Sequence, residues 1–80
     1  MNMGTAIHYE LPKASLTRVA IYDLHGRIVR ILQEGLQNAG AHTIVWNGAN
    51  AGGGLVSNGY YFAVLESESR RLSQKILVVR

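Results

Sequence analysis

The side chains of this 80-residue chain best suited to metal ligation or proton transfer are its three histidines, His8, His25 and His42. They fall in three different segments without ligand spacing, the chain has no Cys, and Glu10 and Asp23 are the only carboxylates in its first 33 positions. A metal centre needs a denser set of nitrogen, sulfur or oxygen donors than this, so scattered surface imidazoles and no metal are expected. Ser15, Ser57, Ser67, Ser69 and Ser73 offer hydroxyls, yet no pattern sets a histidine and a carboxylate beside any of them for activation. Catalysis is therefore not expected. The run Gly52-Gly53-Gly54 invites a phosphate-loop reading, but such loops hold their anion at the N-terminus of a following helix. Here a β-rich segment follows, and no cofactor is expected. Trp46, Tyr61 and Phe62 could form an aromatic platform for sugar. Alternation, however, puts Trp46 and Tyr61 on faces that so small a domain has to bury, which favours core packing.

Charge sets further bounds. The net charge of +3 comes from eight Lys/Arg against five Asp/Glu, and the basic residues are spread from Lys13 to Arg80 without forming a stripe. A nucleic-acid surface concentrates cations on one face, so no nucleic-acid partner is expected. No apolar run approaches the roughly 20 residues a membrane helix needs, and Met1 to Gly4 has no signal-peptide character. Without Cys there is no disulfide framework. At 80 residues, 48% hydrophobic and 16% charged, the chain has to hold one small core by burial alone.

The elements that must position these side chains read mainly with a period of two. In Thr5 to Leu11, Ile7, Tyr9 and Leu11 alternate with Ala6, His8 and Glu10, and Pro12 ends the strand. Leu16 to Tyr22 is a second β-rich run, reversed by Asp23-Leu24-His25-Gly26, where glycine supplies the positive φ of a tight turn. Arg27 to Leu36 fits two periods, because Ile28, Val29, Ile31, Leu32 and Leu36 also trace a helical stripe. The strand reading is preferred there: Gly26 and Gly35 bracket the span, no helix cap precedes it, and Ile and Val are frequent. After a turn at Asn38-Ala39-Gly40, Ala41 to Asn47 places His42, Ile44 and Trp46 on one face and Thr43 and Val45 on the other. Asn47 to Asn58 holds four of the nine glycines and should be irregular, with a tight turn at Asn47-Gly48. Gly59 to Ser67 sets Tyr61, Ala63 and Leu65 against Tyr60, Phe62 and Val64. A hairpin tip at Glu66 to Arg71 then leads to a closing strand from Leu72 to Val79. Six or seven short strands with regular turn signals predict an all-β fold, an antiparallel β-sandwich.

The ordered set YELPKASLTRVAIYDLHGRIVRIL, AGAHTIVWNG, G-x-V-x-N-G-Y-Y-F and KILVVR resembles the FlgD-type immunoglobulin-like domain. It is also similar to the type A C-terminal sorting domain of the bacterial type IX secretion system. The resemblance runs from Thr5 to Arg80 and implies an immunoglobulin-like antiparallel β-sandwich of about seven short strands, as one domain over residues 1–80. Residues 1–4 would then be residual linker, and the whole an excised module. The family's turn and core pattern falls on Leu11, Pro12, Tyr22, Asp23, Gly26, Arg27, Val29, Leu32, Gly40, His42 and Gly53, and above all on Trp46, Asn47, Gly48, Gly59, Tyr61 and Leu65. Asn47 stands where family members often carry Asp, and Ala49 where a charged residue is common.

What the resemblance implies about function is a non-catalytic module of a secreted or cell-surface bacterial protein. In the sorting version the last strand is the recognition tail, here Lys75, Val78, Val79 and Arg80, read by an export-apparatus or surface protein in passage from periplasm to outer membrane. Self-association through edge strands is a second expected contact. Two other roles stand beside sorting: a structural domain of a flagellar hook cap or a spacer in a multidomain hydrolase, and a carbohydrate-binding module.

Overall fold

Alternating burial sorts the chain into six strands in the computed structural model, which describes residues 4–68 and 70–79. In chain order they are β1 (Thr5–Leu11), β2 (Ser15–Tyr22), β3 (Ile28–Gln37), β4 (Gly40–Trp46), β5 (Gly59–Glu66) and β6 (Arg71–Val78). All pairings are antiparallel. β1 and β4 form a two-stranded sheet, and the other four form a second sheet in the order β3-β2-β5-β6. The fold is thus an all-β, immunoglobulin-like sandwich. Its strand bounds lie within a residue or two of those read from alternation. The glycine-rich segment between β4 and β5 adds only the single bridge Ala49↔Leu55 to the six strands among the described residues. Arg80 of the expected tail, Ser69 of the expected hairpin tip and the first three residues lie outside the described residues.

The core is the space between the sheets. Ile7, Tyr9 and Leu11 of β1 face Val19 and Ile21 of β2, Tyr61, Ala63 and Leu65 of β5, and Ile76 and Val78 of β6, with Trp46 and Val56 closing the cluster. These are the in-facing positions of each period-two pattern. Burial of a large apolar side chain contributes about 1.5–3 kcal/mol, so the eleven such positions of this cluster, Ala63 being the small one, supply the driving force that a chain without disulfides needs.

β3 is a strand, and its helical appearance has a local cause. Opposite β2 the register runs Val19↔Gln33, Ala20↔Ile31, Ile21↔Arg30, Tyr22↔Ile28, so that Leu32 and Val29 are each skipped. Those two extra residues pack against the core. Two bulges therefore convert an alternating strand into one whose inward side chains sit three apart, which is the spacing of a helix face.

Polar groups inside the sandwich are satisfied. Thr17 Oγ1 donates to Gln33 Oε1 at 2.8 Å, with Gln37 Oε1 also within reach at 3.0 Å, and the Tyr9 hydroxyl donates to Gln37 Oε1. Burial, opposed in part by that bond, pushes the Tyr9 phenol above its ordinary value. His42 stacks on Tyr9 with ring centroids 5.3 Å apart. Among the described residues no buried side-chain nitrogen or oxygen lacks a partner.

Candidate partner-recognition surface

The Trp-Asn-Gly segment is built to fix the core. Trp46 is 0% exposed and meets Tyr61 edge to face at 5.5 Å. Asn47 Oδ1 accepts the Ala49 N–H at 3.0 Å, an Asx turn. Gly48, at φ +82°, takes a left-handed conformation that only glycine enters freely. The turn returns the Ala49 carbonyl over the indole, whose Nε1–H donates to it at 2.9 Å. The strand leaving the loop is tied in the same way, through the Tyr61 hydroxyl donating to the Ser57 carbonyl at 2.8 Å. Gly59 (φ +144°) opens β5, and Leu65 near its end is buried in the core.

The loop holds itself together with a second asparagine that sequence reading did not single out. Asn50 Oδ1 accepts the N–H groups of Gly52 and Gly54, each at 3.0 Å, and the Ala51 N–H donates to the Val29 carbonyl at the β3 bulge. Gly52 and Gly54 thus cradle a side-chain oxygen of the chain itself, and the Gly53 N–H donates to the Asn50 backbone carbonyl at 3.0 Å. The aromatic residues do not share a platform: Trp46 and Tyr61 lie in the interior, while Phe62 points to the outer face of β5.

The tail residues lie on β6 or just beyond it, and β6 has a sheet neighbour on one side only among the described residues. Lys75 is exposed and opposite Phe62, and its Nζ lies 4.3 Å from the Tyr60 ring centroid, within cation–π range. Val79 is exposed, whereas Val78 is 1% exposed and belongs to the core. Lys75 and Val79 are thus open to a partner in the folded domain, and Val78 holds the strand that displays them.

The outer face of the four-stranded sheet, which Lys75 shares, is more apolar than a solvated face usually is. Leu16, Ile28, Ile31, Leu36 and Tyr60 are exposed there beside half-buried Tyr22 and Phe62. A hollow of about 510 Å³ opens among Tyr22, Leu24, Phe62, Val64 and Arg71. Charges cross this face in a small network, with Arg18 Nη2 3.1 Å from Glu66 Oε1 and Arg71 Nε 4.0 Å from Glu66 Oε2. The hydrogen bond to Glu66, then the field of Tyr22, holds the Arg18 guanidinium above its ordinary value.

At the rim, Asp23 closes the β2–β3 turn. Its Oδ1 accepts the N–H groups of His25 (2.8 Å) and Arg27 (3.0 Å), and its Oδ2 accepts Arg27 Nε–H at 3.0 Å. The backbone bond from Arg27 is the main reason its carboxyl sits below the ordinary carboxylate value. Gly26, at φ +80°, completes the turn.

The three histidines stay apart. His8 bonds Thr43 across the β1–β4 pair, His42 Nε2 lies 2.8 Å from the Asn38 carbonyl, and His25 sits in the Asp23 turn. Among the described residues no three His, Cys, Asp or Glu side chains group as metal ligands, and no helix is long and apolar enough to cross a membrane. The arrangement offers strand edges and an apolar, sparsely charged sheet face, the chemistry of protein–protein contact. A family model described as the FlgD Ig-like domain matches residues 2–70, a span that stops one residue short of β6. A comparison with curated proteins found no match.

Proposed function

Because this chain belongs to the family of FlgD Ig-like domains, we propose that it is a non-catalytic immunoglobulin-like module of a secreted or cell-surface bacterial protein, recognised through β6 as a sorting or anchoring signal. The observation that carries this reading is the double character of β6. Its inward Ile76 and Val78 lock it to the core, while Lys75, Leu77 and Val79 face outward along a sheet edge. An edge strand is a ready template for backbone pairing, with exposed side chains adding selectivity. The partner in this reading is a component of a type IX export apparatus or a surface protein, and no cofactor takes part. Sorting also requires that Arg80 close the parent polypeptide; an internal position there would favour the structural role, a spacer or hook-cap domain working through the apolar outer face.

The test separates recognition from folding. Deleting Leu72 to Arg80 would strip Ile76 and Val78 from the core, so lost export would mean little. The informative variant is Lys75→Glu with Val79 and Arg80 removed, fused to a secreted reporter in a bacterium carrying this export system. Unchanged melting and export reduced tenfold or more are expected; export equal to that of the intact module overturns the sorting role.

A further inference from the structure

The two sheets do not cover each other to the same extent. Across the β5–β6 pair, Leu65 stands opposite Leu72 and Ala63 opposite Gln74, all four on the inward side of the sheet. Leu65 is 5% exposed and Leu72 49%; Ala63 is buried and Gln74 exposed. Cover from the two-stranded sheet therefore stops over β5, and the first half of β6 projects beyond it. The gap is a slot of about 290 Å³ with Ile7, Tyr9, Val19, Ala63, Leu65 and Leu72 in its lining.

One wall of the slot is a strand edge. Ile7, His8 and Tyr9 are consecutive and all three line it. Consecutive side chains on a strand point to opposite faces, so β1 meets the slot with its backbone edge. Among the described residues β1 pairs only with β4, and its other edge has no strand.

We propose that this slot takes one extended peptide of about seven residues from a partner protein, pairing with the free edge of β1 and completing a three-stranded layer over β6. Addition to β1 rather than to β6 follows from the uncovered residues. A strand added beside β6 would lengthen the four-stranded sheet and leave the inner faces of Leu72 and Gln74 open. A whole second molecule does not fit, because two copies joined β1 to β1 would each drive β6 under the place of the other's strand. The occupant is a lone strand whose alternate residues are apolar, meeting Leu65 and Leu72, with polar residues turned outward. Arg71 and Lys75 turn to the outer face, but Arg70 lines the Leu11 end of the trough beside Glu10 and forms no ion pair among the described residues, so an acidic residue that reaches it is favoured at that end. Antiparallel pairing puts that residue first in the peptide. This proposal does not depend on β6 being a sorting signal, since it uses the inner rather than the outer side of that strand.

The probe is an acetylated, amidated heptapeptide that begins with aspartate and continues with alternating valine and threonine. Titrated into the isotope-labelled chain, it is expected to shift the amides of Ile7, His8 and Tyr9 and to protect from exchange the alternate ones among them whose N–H points away from β4. Leu72→Asp, on a half-exposed residue, should weaken binding tenfold or more. Gln74→Arg should weaken it too, and Leu16→Asp on the outer face should leave it unchanged, with circular dichroism confirming that each variant folds. The idea is overturned by no binding at millimolar peptide, by protection confined to β6, by equal effects of Leu72→Asp and Leu16→Asp, or by β1 amides protected in a concentration-dependent dimer without peptide.

Discussion

Asp23 illustrates how one side chain sets a turn. Its carboxylate gathers two backbone N–H groups and one guanidinium N–H within five residues, so the ionised form is favoured in the folded state. The folded pKa lies below the ordinary value of 3.8; stability from this turn is therefore complete above that value and is lost as pH falls through the lower folded one. Proton titration followed by NMR should find Asp23 below an exposed carboxylate. Asp23→Asn should remove the corresponding acid-limb slope from a plot of unfolding free energy against pH; an unchanged slope would deny the turn this role. The residues of this turn and of the Trp-Asn-Gly segment were legible in the sequence, because Asx and glycine turn chemistry acts over two to four residues. Asn50 was not, since its partners are the loop's own amides and nothing in the run of glycines shows which way they point.

At the scale of elements, strand bounds were legible wherever alternation was clean, as in β1, β4 and β5. β3 was ambiguous because its bulges are set by β2, a neighbour that local periodicity does not contain. The same geometry makes a prediction. Leu32, inward through its bulge, should cost about 1–2 kcal/mol on substitution by alanine, less than the 2–5 of a fully buried leucine. Ile31, on the outer face, should change stability by only about 0.5 kcal/mol. Urea unfolding of the two variants checks this, and equal losses would contradict the observed register. Which strands share a sheet was not legible either, since the partition into two and four strands is fixed by contacts remote in sequence. The slot beside β1 follows from that partition, and Leu72 gives no sequence signal of being uncovered.

For the whole molecule, one small interior carries nearly everything. A domain of this size is stabilised by about 4–12 kcal/mol at the typical 0.05–0.15 per residue. Trp46→Ala, emptying the place of its largest fully buried side chain, should remove about 3–5 kcal/mol of that, seen as a collapse of the thermal transition toward ambient temperature. Trp46→Phe should retain more than half of the lost stability. The expected tail is subject to the same economy of scale, because β6 delivers Ile76 and Val78 to the interior on the strand that turns Lys75 outward. In the proposed reading an address label and a keystone are one piece. On that reading a chain broken off ahead of it loses both together, and a receptor for that edge would meet finished molecules and pass over truncated ones, a form of proofreading that needs no separate inspector.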